Sequence, residues 1–315
     1  MKIIAEQVLI LSIIGFIGFI ASKLKFLTTE NRKGLSKVIM KITLPFLIFT
    51  TFAGTKLNNE MLIAFPYIFG AAFVSVFIFY HIASLSAKIQ KFNKSNTALH
   101  QTSTMFGNVI FMGFPLLNAL FPGGEGLIYA TIFQISHESL VWTAGVFILN
   151  KASEHKSRHT WRHLLNPTTA AFILGVIFLI FKIKIPQLIH TPIYGLGHTT
   201  IYLSMLYVGA ILSDVNAKAL LTNLRSYVVS FNKLIIGPTC VMAIFYTLKL
   251  CGVNIPPKGI ICAVLQSAMP CMIIISVLAQ ELGLNSKQSV ENIFVSSILS
   301  IFTLPALYYI LTLIF

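Results

Sequence analysis

The chain has 315 residues, 56% of them hydrophobic and only 10% charged, with a mean hydropathy of +0.83. That is far too apolar for a soluble domain of this length and marks a polytopic membrane protein. A formal net charge of +14 would suggest nucleic acid in a soluble chain, but the Lys and Arg residues fall in short segments between apolar runs, where a positive-inside bias accounts for them; no nucleic-acid partner is expected, and the lipid bilayer is.

Apolar runs near the ~20 residues that span a bilayer lie at about 4–22, 34–54, 61–83, 98–120, 126–149, 166–185, 193–213, 227–249, 258–280 and 289–313, which predicts ten transmembrane helices. The first has no small-residue cleavage site before Lys23 and is expected to be retained. With ten spans the loops sort onto two faces carrying 17 and 6 basic residues. The richer face, which takes Lys23, Arg32, Lys88, Arg162, Arg225 and Lys233 among others, is placed in the cytoplasm, and both termini outside. The longest polar segment, Lys151 to His163, divides the chain into 1–150 and 166–315, with 151–165 as a cytoplasmic linker. Five spans per half is an odd number, so two related halves enter the membrane in opposite senses as an inverted repeat.

The stretch GNVIFMGFP, Gly107 to Pro115, interrupts the fourth run: Asn108 cannot be satisfied by lipid, Gly107 and Gly113 loosen the helix, and Pro115 removes a backbone hydrogen bond. The ninth run is interrupted in the corresponding place by Gln266, Ser267 and Pro270 in AVLQSAMPCMIIIS. Broken backbone at membrane depth is tolerated only where protein encloses it or it lines a cavity. Two such breaks, crossing near the midplane, are expected to offer half-helix N-termini with open N–H groups, which favour an anion without any buried Lys or Arg. The candidate substrate residues are Gly107, Asn108, Phe111, Gly113 and Pro115 with Gln266, Ser267, Met269, Pro270 and Cys271.

On the fifth run Gln134, His137 and Glu138 share a helical face, and intramembrane ionisable groups point to function. They read either as carriers of a coupling proton or cation or as a structural cluster. No HExxH pattern accompanies them, so no metal site is expected. Asn292, Ser296, Ser300 and Thr303 form a polar stripe on the tenth run, read as close helix packing, and Asp214 reads as a solvated cap. The cysteines, Cys240, Cys251, Cys262 and Cys271, read as small packing residues.

The segments LPFLIFTTFAG, GNVIFMGFPLLNALFPGGEGLIYATIF, QSAMPCMIIISVLAQELG and SSILSIFTLPALYYIL carry a resemblance. In their order and spacing, over essentially the whole length, the chain resembles the auxin efflux carrier family, in particular its short bacterial members described as malate or organic-acid permeases. The resemblance implies an all-α, ten-helix inverted-repeat fold, shared more distantly with bile acid–sodium symporters, in which helices 4 and 9 cross. It further implies a scaffold of helices 1, 2, 6 and 7, usually a homodimer, and a transport domain of helices 3–5 and 8–10 that moves like an elevator. Asn108 matches the family's substrate-contacting asparagine, and Pro115 and Pro270 its crossover prolines. Cys271, Met272 and Ile273 stand where relatives carry a small or polar run, and His137 and Glu138 where relatives carry amides. The expected function is secondary transport of small organic anions, mono- or dicarboxylates such as malate, across a bacterial inner membrane, with no cofactor and with proton or sodium coupling open. A sodium-coupled symporter of bile-acid-type anions, in which Gln266 and Glu281 would matter first, an intramembrane enzyme and a non-transporting sensor are the alternatives.

Overall fold

The computed structural model describes residues 2–54, 59–153, 167–213 and 223–315. Asp214, most of the 151–165 linker and the side chain of Glu281 lie outside the described residues. Among those described the chain is all helix: α1 (Lys2–Lys23), α2 (Thr29–Gly54), α3 (Asn59–Ile89), α4 (Lys94–Met105), α5 (Val109–Leu120), α6 (Glu125–Ala152), α7 (Pro167–Ile180), α8 (Gln187–Leu212), α9 (Leu224–Leu250), α10 (Pro257–Ser267), α11 (Ile273–Glu281) and α12 (Ser286–Ile314). Six of them, α2, α3, α6, α8, α9 and α12, are long and apolar enough to cross a membrane, which makes this a multi-pass membrane protein. The runs at 98–120 and 258–280 are each two short helices around a break.

Local signals set the ends. Thr28 caps α2 by accepting from Asn31 N, and Asn93 caps α4 by accepting from Asn96 N. Lys25, Lys91 and Lys182 end α1, α3 and α7 in the left-handed region, at φ of 62°, 53° and 52°. Each is followed by an apolar residue whose N–H reaches five residues back, from Phe26 to Ala21, Phe92 to Ala87 and Ile183 to Phe178. Glycine is the easier residue there, but a lysine answers the negative end of the helix dipole.

The helices divide into two compact units. One holds Met1–Leu62, Ile110–Thr131 and Leu164–Asp214; the other holds Ile63–Val109, Ile132–His163 and Val215–Phe315. Within the first, α1 packs on α8 and α2 on α7. Phe49 meets Phe178 and Phe52 meets Phe172 edge-on at 5.1 and 5.2 Å. Arg32, buried on α2, donates Nη1 to the Ala210 carbonyl at 2.8 Å, and Thr200 donates to Thr43 at 2.8 Å. The α1–α8 contact is backbone on backbone: a Cβ at Gly209 would collide with the Gly15 carbonyl. Small residues at such crossings let helices associate where lipid supplies no hydrophobic drive. Gly209→Ala is therefore expected to lower the melting temperature in detergent, by an overpacking cost of about 1–3 kcal/mol, while Gly70→Ala, with nothing within 4 Å of the new methyl, leaves it unchanged or higher.

The second unit is built around Val76, Phe79, Leu99, Phe106, Val141 and Leu278, so that α3, α4, α6 and α11 share one core. Both breaks lie in this unit, against that core.

Candidate functional site

α4 ends at Met105, and Phe106 turns to extended backbone with φ −108° and ψ 122°. α10 ends at Ser267, and the chain runs through Pro270 to Met272 at φ −76° and ψ 132° before α11 begins. The two extended pieces lie antiparallel, with Gly107 opposite Cys271. Asn108 N donates to the Pro270 carbonyl at 2.7 Å and Met272 N to the Phe106 carbonyl at 3.0 Å. Helix-breaking sequence therefore yields a two-stranded ribbon a few residues long.

The N–H groups pointing away from the ribbon are met by side chains. Gly107 N donates to His137 Nε2 at 3.2 Å, and Cys271 N donates to Ser296 Oγ at 3.0 Å. This narrows the expectation of open N–H groups at the breaks to the first turns of the half-helices that follow, since those of Gly107, Asn108, Cys271 and Met272 are all taken. The reason is general, because buried backbone donors pair wherever a partner is in reach. Recognition beside the ribbon therefore falls to side chains and to the half-helix starts that follow it.

The second correction is a charge. Lys233, counted above with the loop residues, lies inside α9 in a π-helical turn, Asn232–Ile236, and is 1% exposed. Its Nζ donates to the Met105 carbonyl at 3.4 Å and sits 4.2 Å from the centroid of the Phe79 ring. Among the described residues no carboxylate pairs with it. The ammonium is held instead by the C-terminal end of α4 and by a ring face, which answer about half of an elementary charge and a weak quadrupole. The signal in the sequence was the pair Asn232–Lys233 near the start of an otherwise apolar run; the structure adds a bulge of the kind that recurs at functional sites.

Around the crossing four buried polar atoms have no partner: Thr104 Oγ1, Gln134 Oε1, His137 Nδ1 and Gln266 Oε1. Because Nε2 of His137 accepts from Gly107, its ring proton resides on Nδ1, leaving a donor to offer. Gln266 reaches the Val109 carbonyl through Nε2 at 3.5 Å. Gln134 and Glu138 pair with each other along α6 while His137 turns to the ribbon, so the three predicted coupling residues do two separate jobs. Asn108, Met269 and Ser267 are buried beside the ribbon, and Ser267 Oγ bonds back to Val264.

The polar stripe of α12 also contributes. Asn292 Nδ2 donates to Ser103 Oγ at 3.1 Å, one turn before the ribbon on α4, and Ser296 holds Cys271. Ser300 bonds only its own helix, as close packing implies, and Thr303 Oγ1 has no partner. Phe111, Gly113 and Pro115 belong to the first unit, where the Phe111 ring lies 5.0 Å from that of Tyr207. Pro115 opens the helical segment Phe114–Leu120, where a missing N–H costs nothing, after a π-helical turn at Val109–Gly113. The break is thus at Phe106–Asn108 and not at that proline. Among the described residues no group of His, Cys, Asp and Glu is placed to hold a metal ion, and Cys271 is buried on the ribbon.

Comparison with known proteins agrees with this architecture. Residues 3–308 match the family described as "Membrane transport protein". An uncharacterized transporter of Methanothermobacter thermautotrophicus is 28% identical over 302 residues, 95% of this chain and 96% of its own length. An uncharacterized transporter of Methanocaldococcus jannaschii is 22% identical over 303 residues, 94% of this chain and 95% of its own length.

Proposed function

We propose that this chain, which belongs to the membrane transport protein family, that of the auxin efflux carriers, is a secondary transporter of small organic anions such as mono- and dicarboxylates, malate among them. The observation that carries this reading is Lys233: a buried ammonium with no carboxylate partner among the described residues, beside a ribbon where two helices break. Burying an unpaired charge is costly, and an anion that enters the crossing offsets that cost, which selects for carboxylates over neutral solutes. His137 Nδ1 adds a donor, and the amides of Asn108 and Gln266 are buried at the two breaks. Ten crossings in two inverted halves, with both termini outside the cell membrane, fit the twin breaks and the basic-residue bias, which is 16 to 6 once Lys233 is removed from the loops. The division into two compact units supports an elevator-type motion of one against a homodimeric scaffold built on the other.

The test is counterflow of labelled malate in proteoliposomes, with other organic acids as competitors. Native protein is expected to exchange malate without sodium, and Asn108→Ala to exchange it at least about tenfold more slowly, the effect of losing one hydrogen bond to a charged group. Unchanged exchange in that variant would remove the ribbon from the substrate path. Dependence on sodium would move the assignment to the symporter reading.

A further inference from the structure

At the far end of the same polar stripe, the first turns of three helices of the second unit meet: Asn96 on α4, Arg225 on α9 and Gln288 on α12 line one niche with Phe92, His100 and Asn292. Counting its open mouth the space is about 210 Å³, but the enclosed part holds no more than about one water, so a single small oxyanion group would sit at the mouth and a large solute would not enter. The Arg225 guanidinium lies 4.9 Å over the Phe92 ring, which fixes its position, and among the described residues it has no carboxylate. His100 is 3% exposed; Nε2 is 2.6 Å from Ser86 Oγ and Nδ1 has no partner. Ser86 Oγ also lies 3.1 Å from the Ala83 carbonyl, and turning its proton from that carbonyl to Nε2 would place the ring proton on Nδ1 as a donor. The other wall is rigid: Gln288 donates to Ser226 Oγ and Asn292 Oδ1 at 3.1 and 3.0 Å, and Asn292 to Ser103. Glu291 is engaged by Asn223 Nδ2 and does not line the niche.

We propose that this niche is a second anion site, taking a single oxyanion group, carboxylate or phosphate. A guanidinium with no carboxylate among the described residues, a buried imidazole nitrogen without a partner and three positive helix ends converge there, and none of the residues lining it is acidic. Its wall residue Asn292 is one helical turn, about 6 Å, from Ser296 at the ribbon. The site is therefore a waiting position from which a carboxylate is passed along α12 toward Lys233. That transfer role rests on the organic-anion reading; the binding does not.

Equilibrium dialysis of labelled inorganic phosphate and labelled malate against the full chain in phosphatidylcholine nanodiscs tests it. Phosphate is expected to bind the native protein and the Lys233→Gln variant equally, to bind Arg225→Gln about tenfold or more weakly, and to recover in part in Arg225→Lys. Arg225 is exposed, so an unchanged melting temperature without anion confirms that the variant is folded. Suppression of phosphate binding by phosphatidylglycerol in the disc names a lipid headgroup as the occupant of the same oxyanion site; indifference to that lipid names a free anion. Equal phosphate affinity in Arg225→Gln and native protein, its loss in Lys233→Gln, or no binding to native protein overturns the proposal. Phosphate binding with no malate counterflow would instead sink the transport reading and leave the niche standing.

Discussion

Replacing Lys233 with methionine is expected to stop malate exchange and at the same time to stabilise the protein. The two effects have one cause. Lys233 is 1% exposed and, among the described residues, is compensated only by the Met105 carbonyl and the Phe79 ring, so the anion-free protein carries the cost of a desolvated charge. Replacing buried charge with an apolar side chain of similar volume is often stabilising by about 1–4 kcal/mol. Methionine fills the same channel between α4 and Phe79, and its flexible thioether tolerates an irregular fit. Removing one member of a desolvated charge pair costs about 2–5 kcal/mol of binding, so exchange falls by a hundredfold or more. Differential scanning fluorimetry beside counterflow separates the alternatives. A variant that melts lower and still exchanges malate would make Lys233 a structural tie to the end of α4. Malate should raise the melting temperature of the native protein and leave that of the variant where it was.

A methyl group at Gly107 is expected to disable the site from the opposite side. The Cβ of Gly107→Ala would lie 2.9 Å from the Met269 carbonyl and 3.2 Å from both Cε and Nζ of Lys233. The lysine can swing aside; the Met269 carbonyl is backbone and cannot move without parting the ribbon bonds of Asn108 and Met272. The expected cost is about 1–3 kcal/mol of stability, with transport lost. Adding Lys233→Met to Gly107→Ala relieves only the flexible half of the clash, so part of the stability returns and transport does not. Full recovery of stability in the double variant would show that the Met269 carbonyl was never the obstacle.

Hydropathy, basic-residue bias and the interrupting residues are local properties of the chain, and what they imply is legible without coordinates. The membrane character, the helical segments, the family and the two interruptions all follow from residues adjacent in sequence, such as Gly107–Asn108 and Ala268–Pro270. The position of the first break within its run is less legible, because Pro115 looks the stronger breaker by itself but is accommodated inside α5, just after the π-helical turn Val109–Gly113.

Partnerships across the fold belong to tertiary structure alone. A lysine near one end of an apolar run reads as a loop residue or one that snorkels to water, and only packing reveals that Lys233 points inward to Met105, 128 residues away. The N–H groups of Gly107, Asn108 and Cys271 read as open from sequence because their acceptors, His137 and Ser296, stand 30 and 25 residues from Gly107 and Cys271 and Pro270 lies in the other break. A one-dimensional pattern records which groups must leave water; it holds no information on which distant atom satisfies them. What the sequence determined here is that two helices break inside a membrane protein, and what the tertiary structure decided is that the breaks bind each other beside a buried lysine.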